Sequence, residues 1–165
     1  MSTAHHELKP VAAAGATQVC DLLGSRFAVV LDGTQTGNAF AIVECVLPAG
    51  AALPPHFHLH EDVLLILKSG RLEVTARDQT SELTAEGVFF APRGCVHAAR
   101  NTGNDVCRFW VLTAPAGLES LCARFAGGAD LGCPHDGSTV AEACRHYGLH
   151  LVPSQHAVEA RTTKT

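Results

Sequence analysis

Between residues 26 and 113 the chain is cut into short apolar and β-branched runs, each closed within a few positions by Gly, Pro, Asn or Asp. The runs cover residues 26–31, 39–47, 53–59, 63–68, 71–77, 81–84, 87–91, 96–101 and 107–113. Strand-like runs repeating at roughly 8–12 residues are the pattern of an antiparallel sandwich or closed barrel. The joints carry turn chemistry, notably Ser69-Gly70, Pro92-Arg93-Gly94 and the stretch from Asn101 to Asp105. The period then changes. Leu118, Leu121, Cys122 and Phe125 fall at i, i+3, i+4 and i+7, an amphipathic helix stopped by Gly127-Gly128. Thr139-Val140-Ala141-Glu142 has capping-box spacing and opens a second helix to about Tyr147, with Gly148 as its stop. The expected fold class is all-β with two short C-terminal α-helices.

One run carries chemistry. Side chains at i and i+2 of a strand leave the same face, so His56 and His58 can enter one cavity. Paired imidazoles suit a transition metal, and His97, on a run that follows the Pro92-Gly94 turn, offers a third. The bland alternative is a polar pair of histidines at a barrel mouth, satisfied by water and backbone. Three neutral imidazoles suffice to hold a divalent ion, with bonds of roughly 2.0–2.2 Å.

These residues resemble the two sequence motifs of the cupins. The first motif is Gly, five residues, His-x-His, three or four residues, Glu, six residues, Gly; it is matched at Gly50, His56, His58 and Gly70. Six positions before Gly70 stands Val63, so the resemblance implies that the family's metal-binding glutamate is replaced. The second motif is matched at Pro92, Gly94, His97 and Asn101, with Glu86 where its leading glycine belongs and Gly87 one residue late. The resemblance implies a double-stranded β-helix, a small jelly-roll barrel. The C-terminal helices make residues 25–153 similar to bacterial single-barrel quercetin dioxygenase-like cupins. The implied organisation is an N-terminal arm over 1–24, a barrel over 25–115, a helical extension over 116–153 and a tail over 154–165. It also implies a homodimer formed by pairing barrel-edge strands and exchanging N-terminal arms.

Composition bounds the remaining classes. The 165 residues can bury one core, with 47% hydrophobic and 17% charged residues. A net charge of −4 without a basic cluster argues against nucleic acid as a partner. No apolar run is longer than that over 63–67, which falls far short of the roughly 20 residues that cross a bilayer, and no signal peptide is seen. Seven cysteines without a CxxC pair read as reduced thiols and a cytoplasmic location. Among them Cys95, two residues before His97, is a possible sulfur ligand, with plain burial as the alternative.

The expected cofactor is one divalent transition metal (Fe, Mn, Ni, Cu or Zn) on His56, His58 and His97. Its absence is kept as the second reading. His60 keeps the parity of the pair and is an alternative ligand, although the chain should be turning there. Glu61 and Asp62 read as a solvated charged turn; swung inward, either would supply an anionic ligand or a base. Val63, Leu65, Phe90 and Trp110, with Phe40, Leu67 and Phe109, are candidates for the cavity wall. Alternation lets only one of Phe109 and Trp110 face inward.

Two functions follow. One is a mononuclear oxygenase acting on a small aromatic or apolar molecule. In quercetinases the motif glutamate is thought to bind metal and accept a substrate proton, which Val63 cannot do. A different, already acidic substrate therefore fits better. The other is a non-catalytic small-molecule-binding barrel with vestigial histidines.

Overall fold

A computed structural model describes residues 18–126 and 137–153. The elements in chain order are β1 (Val19–Leu22), β2 (Ser25–Leu31), α1 (Gly33–Thr36), β3 (Ala41–Leu47), β4 (Ala52–His58), β5 (Asp62–Ser69), β6 (Leu72–Ala76), β7 (Gln79–Leu83), β8 (Val88–Ala91), β9 (His97–Asn101), β10 (Cys107–Ala114), α2 (Leu118–Phe125), α3 (Gly137–His146) and β11 (Leu149–Leu151). The strands form two antiparallel sheets, ordered β1-β2-β3-β10-β5-β8 and β11-β4-β9-β6-β7.

Alternation explains why these sheets face each other. Along β3, Ala41, Val43, Cys45 and Leu47 are buried, and along β10 Cys107, Phe109, Val111 and Thr113 are buried, while the residues between them reach the outside. Val43, Cys45, Leu47, Cys107, Phe109 and Val111 meet Leu72, Val74 and Ala99 of the second sheet in one core. Of the adjacent aromatics, Phe109 is the one buried, and Trp110 lies on the outer face with Lys68 Nζ 4.5 Å from its ring centre.

The runs expected from the sequence reappear as strands, with additions at both ends. Residues 19–22, read as part of a loose arm, form the edge strand β1, paired Val19 to Ala28 and Leu22 to Ser25. Its hairpin turn places Leu23 (φ 54°) and Gly24 (φ 73°) in the left-handed region, which suits the right-handed twist of the strands it joins. The 32–38 connection contains a short helix capped reciprocally by Asp32 and Gln35. At the other end, β11 adds an edge strand to β4, pairing Leu149 with His58 and Leu151 with His56. The expected tail, 154–165, and most of the expected arm lie outside the described residues.

The two motif turns are held by hydrogen bonds. Glu86 has φ 67°, the conformation that favours glycine, and its N–H donates to the Leu67 carbonyl (2.8 Å). Asn101 is fully buried. Its Nδ2 donates to the carbonyls of Leu47 (2.9 Å) and Asp105 (2.8 Å), and its Oδ1 accepts from the Gly103 N–H (2.9 Å). One side chain thus ties the end of β3 to the β9–β10 turn. Asn101→Ala leaves three backbone groups without this partner and should destabilise the protein by about 2 kcal/mol, read by urea denaturation. An unchanged midpoint would contradict that role.

Candidate metal centre

His56 and His58 reach the same cavity because they share one face of β4, as their spacing requires. The strand is irregular just before them. Pro54 and Pro55 have no N–H to give a ladder, and the β4–β9 register shifts between Leu53 and His56. Pairing resumes with His56 directly opposite His97, which brings two of the three rings together across neighbouring strands. The Pro92–Gly94 turn is latched to the same strand. Gly94 (φ 75°) donates its N–H to the His58 carbonyl (2.7 Å), and the Cys95 N–H closes the turn on Pro92 O (3.0 Å).

The ring centres lie 4.4 Å (His56–His97), 5.6 Å (His56–His58) and 6.0 Å (His58–His97) apart. One nitrogen from each lies within 4.8 Å of the others. Every ring has its Nδ1 engaged behind it. His56 Nδ1–H donates to the Pro54 carbonyl (2.7 Å), His97 Nδ1–H to the Cys95 carbonyl (3.0 Å), and His58 Nδ1–H to Glu61 Oε2 (2.5 Å). That pattern sets one tautomer in all three rings and leaves the Nε2 lone pairs as the free donors. It is the arrangement by which metal-binding histidines are oriented.

Electrostatics favour the neutral form of two of the rings, His56 and His97. Burial, reinforced by the nearby His97 and His58 rings, pushes His56 down to about 3 against the opposing Pro54 hydrogen bond. Burial likewise lowers His97, aided by His58 and opposed by the Cys95 carbonyl. Two neutral imidazoles can accept a cation near neutral pH without first releasing protons. The cavity around them is apolar. Val63, Leu65, Leu53, Ala99 and Val111 line it from the sheets, Leu118, Leu121 and Cys122 from α2, and Leu22, Phe27 and Leu149 from the added strands. Three convergent nitrogens of borderline softness, pre-set in tautomer, fit a divalent transition ion.

The Cupin_2 family model, described as a cupin domain, matches residues 43–113. Over residues 43–113 the chain is thus similar to a cupin domain. The inner kinetochore subunit cnp3 of Schizosaccharomyces pombe is 30% identical over 82 residues, which are 50% of this chain and 13% of that protein. The chain therefore spans only a small part of that relative. The Cnp3 cupin domain structure superposes with TM-score 0.52 at 28% identity, covering 61% of this chain and 67% of that one. KdgF from Halomonas sp. (22% identity, TM-score 0.53, 59% and 84% coverage) shares the fold. So does a Klebsiella pneumoniae protein with a double-stranded β-helix domain (22%, 0.50, 64% and 84%). All place the described sheets in the cupin fold.

The other candidates separate by position. Val63 and Leu65 stand on the cavity wall, and Val63 is 1% exposed. Phe90, expected there, is instead 59% exposed on the outer face of the edge strand β8, and Trp110 is also on the outside. Both point away because their inward-facing neighbours, Ala91 and Phe109, take the buried parity. Leu67 and Phe109 are buried in the core rather than on the cavity wall, and Phe40 is half-buried. His60 is exposed, its ring against Gly148, outside the histidine cluster. Cys95 is half-buried with its thiol toward the Val96 carbonyl, also outside the cluster.

The charged turn divides. Asp62 is held outside by Arg93, whose Nε and Nη2 each lie 3.2 Å from its carboxylate and whose backbone N–H lies at 2.9 Å. Glu61, expected beside it in solvent, is turned inward, 5% exposed, with its carboxylate on His58. A burial signal for Glu61 was absent from the sequence, since residues 59–61 obey no strand alternation. The contribution of α2 to the wall was half visible, because its apolar stripe was clear but its target was not.

Proposed function

We propose that this chain is a metal-dependent cupin, a mononuclear oxygenase that uses His56, His58 and His97 on a small aromatic or otherwise apolar molecule. The observation that carries the reading is the commitment of all three Nδ1 atoms to acceptors behind the rings, with the opposite edges converging on an apolar cavity. When bound, Fe, Mn, Ni, Cu or Zn would supply Lewis acidity, and a redox-active ion among them would supply dioxygen chemistry. The chain's own residues orient the donors, exclude water with Leu118, Leu121 and Val111, and offer apolar contact to the substrate. By its resemblance to the cupin motif, six residues before Gly70, Val63 takes the place of the motif's glutamate. Among the described residues the cavity wall holds no carboxylate to act as base, and a substrate that arrives already ionised fits best. Stoichiometric metal on protein expressed in several metal-supplemented media, with oxygen uptake on enolate or phenolate probes, tests this. Metal-free protein that takes up none of the five ions would overturn it.

A second reading, a non-catalytic ligand-binding barrel, is favoured by the same lack of a wall carboxylate and by the likeness to a kinetochore subunit's cupin domain. Tight binding of an apolar ligand with no oxygen uptake would select it.

We also propose that the protein is a cytoplasmic homodimer. Six described cysteines are free thiols, which suits a reducing compartment, and no described helix is long and apolar enough to cross a membrane. The outer face of the larger sheet carries Phe90 beside Leu64, Val88 beside Ile66, and Trp110 and Leu112 next to these. A continuous apolar face of this kind marks an interface, and it can be covered by a second copy without arm exchange. Phe90→Glu should convert the dimer to monomer in analytical ultracentrifugation, with the metal site intact. A monomeric wild type would sink the proposal.

A further inference from the structure

We infer that Glu61 is a positioning carboxylate for the metal centre: seated against Gly117 and bonded to His58 Nδ1, it supplies from behind the ring the negative charge that the cavity wall lacks. The inference rests on the three-histidine reading above and adds a specific asymmetry to it, making His58 a stronger donor than His56 or His97. Burying a carboxylate costs several kcal/mol unless it is paired, so its position needs a reason. Solvent is close at hand, since the next residue, Asp62, lies in it with Arg93. Glu61 nonetheless leaves the turn for the interior and makes its hydrogen bond to a ring nitrogen through Oε2. Its second oxygen, Oε1, is fully buried and has no hydrogen-bond partner among the described residues. The role is thus directed at the ring and not at a network.

A second observation is independent of that bond. Gly117, at the start of α2, faces the carboxylate so closely that a Cβ there would stand 2.2 Å from Glu61 Oε1 and 3.1 Å from its Cδ. Gly117 has φ 176°, outside the left-handed region, so a left-handed turn is not what calls for glycine here. The space taken by Glu61 is. The α2 entry is therefore shaped around the carboxylate, and the two segments that hold it end in cavity-lining residues, His58 and Leu118. A carboxylate on Nδ1–H fixes the tautomer and raises the basicity of Nε2. The other two rings lean on neutral carbonyls, which polarise less strongly.

The test uses the full chain and Zn²⁺ or Co²⁺ alone as probes. Glu61→Gln keeps the shape and removes the charge; Zn²⁺ affinity should fall roughly 10- to 100-fold with an unchanged circular dichroism spectrum. Gly117→Ala moves the carboxylate without deleting it and should weaken Zn²⁺ in the same direction, which keeps the test open should Glu61→Gln fold poorly. Asp62→Asn should bind as the wild type does. The Co²⁺ visible bands should shift in both site variants. In chelator-treated protein, ¹⁵N spectra should show His58 as the Nδ1–H form in the wild type and as a tautomer mixture in Glu61→Ala. Equal Zn²⁺ affinity in wild type and Glu61→Gln, or an unmoved His58 tautomer, overturns the inference alone. A wild type that binds no Zn²⁺ overturns the three-histidine reading and this inference with it.

Discussion

His97→Ala should abolish stoichiometric metal uptake while leaving the barrel folded. His97 faces His56 across the β4–β9 pair, with ring centres 4.4 Å apart, and its removal leaves two donors where three converge. Losing a residue that merely orients a ligand typically costs 10- to 100-fold in affinity, so losing a ligand should cost more than about 100-fold. The effect on the fold is expected to be small by comparison. The ring is buried but neutral, and its one hydrogen bond goes to a turn carbonyl that the Pro92–Cys95 bond already shapes. A loss of about 1–2 kcal/mol is therefore expected for His97→Ala, against about 3–5 kcal/mol for Phe109→Ala in the core. Calorimetric titration with Zn²⁺ and urea denaturation of the chelated protein measure the two effects separately. Zn²⁺ binding by His97→Ala at wild-type strength would mean that the histidines do not act as one site.

How much of this was legible in the sequence depends on the local backbone. His56 and His58 were readable because a strand has a fixed two-residue period, and His97 because Pro92 and Gly94 mark the turn that aims it. The helix over 118–125 was readable from its apolar spacing. Glu61 was not, because residues 59–61 turn between β4 and β5, where neither period applies. The choice of face was similarly hidden at Phe90 and Trp110. Adjacent large residues tell the reader that one faces in, without saying which, and the core took Phe109. The strand β1 escaped because Leu23-Gly24 lacks the Asn or Asp that usually announces such a turn. Its pairing with β2 brings Leu22 to the cavity, so the wall includes residues from outside the matched family segment.

Charge balance at the site decides the remaining expectation. Three neutral imidazoles leave the charge of a divalent ion uncompensated within the cavity wall, where Val63 offers only methyl groups. Val63 is held in β5 between Ala91 and Thr113, with its side chain 1% exposed beside the histidines, so a longer side chain from the same Cα must enter the same space. Val63→Glu should therefore have opposite effects on the two forms of the protein. In the chelated form a carboxylate enters an apolar cavity without a partner, and stability should fall by about 2–5 kcal/mol. With metal the same carboxylate becomes a charged ligand, and affinity for Zn²⁺ or Ni²⁺ should rise at least roughly 100-fold, or about 2.7 kcal/mol. The melting temperature of the variant should thus drop by roughly 5–15 °C in chelator and recover on adding metal, a larger metal-dependent rise than in the wild type. Differential scanning calorimetry with and without metal reads both arms in one experiment. Equal metal affinity in wild type and Val63→Glu would show that the wall position is not open to the ion. An unchanged melting temperature in chelator would show that the new carboxylate escapes the cavity, and would remove Val63 from the site.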